Sequence, residues 1–231
     1  ESEVSVPSDK IISWKVQTGS DTVSAEYEPA TSEQRAVFVC AHGAGGNIRD
    51  RGTLAASRAM RDAGFGVVRF NFPYKEKGSG RPDPMPRLKE CIAAVVQHTL
   101  SELAPDTVVT GGRSMGGRAA SMLAADGFVT DGLLLLAYPL HPAGQPEKLR
   151  DAHLPEIRIP VLCINGTRDA LCEKSLMEKA LTTVRTDWTM HWVEGADHSF
   201  HVLKSSGRTD AQVMVEISQA SSSWLSRILA R

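Results

Sequence analysis

At 231 residues, 42% apolar and 23% charged, the chain is long and apolar enough to bury the core of one domain without disulfide or metal staples. That balance excludes a disordered chain. A net charge of −1 with no long basic run gives no hold for nucleic acid or an anionic membrane, and the apolar run Leu133 to Ala137 is far short of a membrane span.

The opening residues, "ESEVSVPSDK", read as a polar tail of about ten residues on a single domain spanning 1–231 and contain no signal-peptide core. The first residue is glutamate rather than methionine, which leaves room for a removed leader. "IISWKVQ" and "DTVSAEYEP" alternate as edge strands do, with a turn at Gly19. "RAVFVCAHG" is continuously apolar, the pattern of a strand covered on both faces. A helix with Thr53 as N-cap is expected to run to about Asp62, followed by the buried strand "FGVVRFNFP". Beyond the proline-spaced loop "RPDPMP", Leu88, Cys91, Ile92, Val95, Val96, Thr99 and Leu103 recur at three- and four-residue steps, which predicts an amphipathic helix. "DTVVTGG" reads as a strand and Met115 to Ala125 as a helix that turns Met115, Ala119, Met122 and Leu123 inward. "GLLLLAYP", "IPVLCING" and "DWTMHWVEG" continue the strands, with a helix near Glu173 to Thr183 between the last two. A closing helix from about Asp210 to Ala230 would bury Ile217, Trp224, Leu225 and Ile228. Strands alternating with helices predict an α/β fold, a mostly parallel sheet covered on both sides. The four cysteines lack CxxC spacing and read as buried free thiols of a reducing compartment, hence a cytoplasmic location.

The segment "TVVTGGRSMGGRAASML" places Ser114 at the sharpest corner of the chain. A tight strand-to-helix turn drives its residue toward a strained left-handed backbone, and the positions two residues either side must be small where helix and strand pass closely. Gly112 and Gly116 occupy those positions, giving G-R-S-M-G. The hydroxyl then stands above the carboxyl edge of the sheet at a helix N-terminus, where partial positive charge favours a developing anion.

A serine hydroxyl needs a base. His198, in "EGADHSF" after the last strand, can reach back over that edge; His201 is its competitor, and His191 reads as structural. The imidazole needs an acid to fix its tautomer. Asp169, in "NGTRD", leaves the sheet at the same edge, whereas Asp197 is too near in sequence to bond the ring and reads as a turn residue. Donors for an oxyanion are expected from the amides of Ala44, in "AHGAGGN", and Met115. His42 reads as a structural residue of that loop. "GAGGNI" fails as a dinucleotide fingerprint, and P-loop and HExxH patterns are absent.

In order, "AHGAGG", G-R-S-M-G, "GTRD" and "GADHSF" resemble the α/β-hydrolases. The resemblance implies a sheet of about eight strands, a Ser114–His198–Asp169 triad, no metal and no cofactor. "FNFPY", "GGRSMGG", "YPLHPAGQPEKLR" and "INGTRD" are similar to the branch of Tex30-like and KANL3-like proteins, near the dienelactone hydrolases. Dienelactone hydrolases proper carry cysteine as nucleophile, so serine here argues against copying their substrate. The segment between Ala137 and Pro160 is too short for the full cap domain of many α/β-hydrolases, which predicts an open site for small or short-acyl esters, with Tyr138, Leu140 and His141 near its rim. Gly43, Phe72, Pro73 and Tyr74 are expected against the substrate. Arg49, Arg51 and Arg113 offer positive charge for an anionic substrate, against the plainer reading that Arg113 pairs with an acid and the other two are solvated. The expected partner is a small-molecule ester, neither nucleic acid nor membrane; thioesters and lactones share the machinery. The rival reading is a binding or scaffold protein on the same fold with little turnover.

Overall fold

The computed structural model describes residues 11–231, so the polar tail expected over residues 1–10 lies outside the described residues. A hairpin, β1 (Ile12–Thr18) and β2 (Asp21–Glu28), leads into β3 (Ala36–Ala41), α1 (Arg51–Asp62) and β4 (Phe65–Phe70). A one-turn helix α2 (Pro73–Glu76) and the long α3 (Met85–Leu103) precede β5 (Val108–Arg113), α4 (Met115–Ala125) and β6 (Gly132–Leu136). The chain closes with β7 (Val161–Gly166), α5 (Lys174–Leu181), β8 (Trp188–Val193) and α6 (Asp210–Leu229).

The eight strands form one sheet in the order β1-β2-β4-β3-β5-β6-β7-β8, antiparallel at β1–β2 and β2–β4 and parallel elsewhere. After β3 the chain steps outward to β4 and then returns to the other flank of β3 as β5. The loops leaving the carboxyl ends of β3 and β5 therefore diverge, which opens a crevice at that point of the sheet.

The apolar runs are continuous because both faces are covered. Val37, Val39 and Ala41 face a core with Leu88, Ile92, Val95, Ala119 and Met177, on the side of α3, α4 and α5. The alternate residues Ala36, Phe38 and Cys40 face Met60, Ile217, Trp224 and Leu225, on the side of α1 and α6. The same period of two divides Leu133 and Leu135 from Leu134 and Leu136 in β6. The four cysteines are buried free thiols. Between β6 and β7 the chain makes only a short 3₁₀ turn, Leu154–Glu156, and carries no cap domain.

Three local readings are corrected. The N-cap of α1 is Asp50, not Thr53: Asp50 Oδ1 accepts the Thr53 amide at 2.9 Å and Oδ2 the Thr53 hydroxyl at 2.6 Å. A carboxylate satisfies two donors there, so the helix starts earlier. The strand expected through Pro73 stops at Phe70, because proline supplies no ladder donor and instead opens α2 at its first position. Met122 is only half-buried; Ala120 and Ala124 take the inward positions of α4, where helix and sheet approach closely.

That approach is tightest at Gly116, where a Cβ would lie 2.5 Å from the carbonyl oxygen of His42. Gly116→Ala is expected to destabilise the protein by about 1–3 kcal/mol, the cost of overpacking against backbone, read as a lowered urea midpoint with unchanged slope.

Candidate active site

Ser114 joins β5 to α4 with φ 48° and ψ −119°, a conformation that costs a non-glycine residue on the order of 1–3 kcal/mol. Its amide donates to Leu136 O at 2.9 Å, so the strained residue stays tied to β6. The hydroxyl makes no capping bond to α4 and lies 2.9 Å from His198 Nε2. His198 Nδ1 lies 2.8 Å from Asp169 Oδ2. The Asp169 side chain is fully buried, and its Oδ1 accepts the Leu171 amide at 2.8 Å. The His198 side chain is 28% exposed. A carboxylate aimed at Nδ1 favours the tautomer with its proton there, which leaves Nε2 as acceptor for the serine hydroxyl.

The competing residues have other partners. His201 Nδ1 meets Asp210 at 2.9 Å, His191 Nε2 meets Glu216 at 2.9 Å, and Asp197 accepts the amides of Ser199 and His201. His42 is buried with both ring nitrogens on backbone. Nδ1 donates to Gly43 O at 2.7 Å and Nε2 accepts the Phe72 amide at 3.1 Å. Burial lowers its pKa, in keeping with a neutral ring.

The loop after β3 is held against the corner by residues of β4 and its extension. Arg69 Nη1 donates to Ile48 O at 2.5 Å, Asn71 Oδ1 accepts the Ile48 amide at 2.8 Å, and the Tyr74 hydroxyl donates to Ala44 O at 2.8 Å. Gly43 packs beside the nucleophile: a Cβ there would lie 3.6 Å from Ser114 Cβ. Met115 begins α4, where the first amides have no intrahelical acceptor.

A cavity of about 400 Å³ opens on Ser114, lined by Ala44 and Met115, by Met85 and Leu88 of α3, and by Pro139 and Leu171. It also receives two arginines that the sequence reading passed over, Arg118 and Arg150. Arg118 had a signal: it follows Ser114 by four residues on a helix. A larger cavity, about 560 Å³, is lined by Arg51, Arg113, Asp50 and His201 and does not include Ser114.

Several expected contacts are not on that surface. Tyr138, Leu140 and His141 are buried rather than at a rim. The Tyr138 hydroxyl donates to Arg150 O at 2.6 Å, Asn165 bonds both the amide and the carbonyl of Tyr138, and His141 Nε2 accepts the Glu173 amide. The segment after β6 turns inward to satisfy these groups and leaves Pro139 to face the cavity. Phe72 packs edge-on against His42 at 4.9 Å and is also buried, while Tyr74 touches the site through its bond to Ala44. Arg49 pairs with Glu26, and Arg113 pairs with Asp50 at 3.8 Å beneath the corner. Among the described residues no cluster of three His, Cys, Asp or Glu side chains is placed to hold a metal ion, and no helix is long and apolar enough to cross a membrane.

Parallel strands in this order, delivering a serine at a strained strand-to-helix corner, make the α/β-hydrolase class of fold. Residues 34–226 match the family model described as alpha/beta hydrolase domain, and the chain belongs to that family. A serine hydrolase without a lid from Xanthomonas campestris superposes with a TM-score of 0.75 at 21% identity, covering 93% of this chain and 95% of that one. An alpha-beta serine hydrolase homologue from Coxiella burnetii gives 0.73 at 18% identity, over 91% and 95% of the two chains. A dienelactone hydrolase from Anabaena variabilis gives 0.71 at 18% identity, over 94% and 97%. Each likeness is one of fold.

His153 lies 2.7 Å from Ser121 Oγ of α4; burial, then the charge of Arg118, pushes its pKa from 6.5 down to about 4. The folded protein holds the neutral ring, so this contribution to stability is intact above pH 6.5 and is lost as pH falls toward 4, where the unfolded chain binds the proton first. Urea midpoints taken at about pH 7 and about pH 5 should fall further for the wild type than for His153→Gln.

Proposed function

We propose that the protein is a serine hydrolase that cleaves small or short-acyl carboxylic esters through an acyl-enzyme intermediate. The observation that carries this reading is the continuous hydrogen-bonded chain from Asp169 through His198 to Ser114, at 2.8 and 2.9 Å. Ser114 Oγ attacks the ester carbonyl while His198 Nε2 takes its proton, and the buried Asp169 carboxylate stabilises the imidazolium that forms. The amides of Ala44 and Met115 hold the oxyanion of the tetrahedral intermediate. Collapse of that intermediate expels the alcohol, which takes the proton from His198. A water molecule then gives its proton to His198 and attacks the acyl-serine, and the second intermediate releases the acid and restores Ser114. No cofactor enters this cycle.

The open cavity without a cap domain supports short substrates, and the same steps serve thioesters and lactones. Four buried thiols support a reducing, cytoplasmic setting. The motifs around Ser114 and Asp169 support a place in the branch of Tex30-like and KANL3-like proteins.

The test is labelling with a fluorophosphonate probe, mass mapping of the adduct, and turnover of p-nitrophenyl butyrate. Label on Ser114 and turnover, both lost in Ser114→Ala, are expected. A folded wild type that takes no label at Ser114 overturns the reading in favour of a binding protein on a hydrolase fold. Asp169→Asn is expected to keep the far-ultraviolet circular dichroism and lose about 10⁴-fold in kcat, because the wrong imidazole tautomer is then favoured.

A further inference from the structure

Two arginines enter the Ser114 cavity without a carboxylate of their own. Arg118 lies in the first turn of α4, which Ser114 precedes, and both residues line the same cavity. Arg150 arrives from the β6–β7 connection. Among the described residues neither guanidinium comes within 4.0 Å of a carboxylate. Arg118 Nε is buried with no hydrogen-bond partner, and Arg150 makes one long side-chain bond, Nη1 to Pro139 O at 3.4 Å.

Several other enclosed arginines meet carboxylates. Arg69 meets Glu26 and Glu28, Arg61 meets Glu28, Arg113 meets Asp50, and Arg208 meets Glu216. The acid that does line the Ser114 cavity, Asp83, is engaged through Oδ2 with the Tyr74 amide at 2.9 Å. Burial lowers the pKa of Arg118, opposed by Tyr138 and aided by the smaller repulsion of Arg150. Two cations facing one partly desolvated cavity raise the energy of the empty site, and an anion between them removes both the repulsion and the unmet donors.

We propose that the substrate processed at Ser114 carries an anionic oxygen group, a carboxylate or a phosphate, which Arg118 and Arg150 grip beside the reacting carbonyl. The proposal rests on the hydrolase reading of Ser114 and names its substrate class. Ser114, Arg118 and Arg150 line one cavity, so a short dicarboxylic half-ester can present its carbonyl to the serine and its carboxylate to the arginines. The positive charge expected of Arg49 and Arg113 is spent on Glu26 and Asp50, and Arg51 lines the other cavity, so substrate charge is read by a different pair.

The test compares kcat/KM for mono-p-nitrophenyl succinate and p-nitrophenyl butyrate, which match in length and differ by the terminal carboxylate. Ser114→Ala serves as blank for the half-ester's own hydrolysis. The wild type is expected to prefer the half-ester by at least about tenfold, the worth of one charge-assisted hydrogen bond. Arg118→Gln and, independently, Arg150→Gln should each abolish the preference, while Arg158→Gln, a surface residue paired with Glu156, should retain it. In parallel, succinate and inorganic phosphate are titrated calorimetrically into wild type and both variants. Binding of either, lost in the variants, supports the proposal and tells carboxylate from phosphate. A wild type without the preference that binds neither anion, or variants that keep preference and binding, overturns it. If neither ester is turned over and Ser114 takes no fluorophosphonate, the hydrolase reading falls by itself and the titrations still decide the anion site.

Discussion

No side chain fits between the first turn of α4 and the end of β3, and the position of Ser114 follows from that closeness. Gly116 lies against the His42 and Ala41 carbonyls, and a Cβ on Gly112 would strike the Ala41 carbonyl on the other side of the corner. With both flanks pressed onto β3, the chain turns from strand to helix within one residue, and that residue takes φ 48°. The strain persists because parallel pairing to β3 and β6 holds β5 in place up to the corner. A hydroxyl there stands clear of the sheet, with the amides of a helix start beneath it.

The loop opposite is fixed from an unexpected direction. Its contacts come from β4 and the residues after it, and Arg69, which holds Ile48, is itself held by Glu26 and Glu28 of the hairpin strand β2. A buried ion cluster of this kind is a weak source of stability, because desolvation offsets most of the Coulombic gain. Its directional bonds fix where the loop backbone lies. The antiparallel edge of the sheet thereby helps set the geometry of Ala44, far from it in sequence.

Charge divides the arginines into two groups. Those beneath the corner and beneath the loop are neutralised by acids, so they shape the backbone and add little field to the cavity. Arg118 and Arg150 have no carboxylate partner among the described residues and line the cavity that opens on Ser114.

The sequence by itself determined the strand and helix order, the two-sided sheet and the corner at Ser114, because these depend on local periodicity and on glycine spacing along the chain. His198 and Asp169 were legible as candidates because each follows a strand at the same sheet edge, and the folded chain brings them within hydrogen-bonding distance of each other. The sequence misjudged the residues after β6: aromatic and histidine side chains in a loop read as a rim, yet Tyr138, Leu140 and His141 are buried, the Tyr138 hydroxyl donating to the Arg150 carbonyl, His141 accepting the Glu173 amide and the Asn165 side chain bonding the Tyr138 backbone. Which arginines are neutralised was equally out of reach, because Glu26 and Asp50 find Arg49 and Arg113 only once β2, β4 and the corner have packed. Local spacing is written in one dimension, whereas the burial and pairing of a long polar side chain depend on what the folded chain brings next to it.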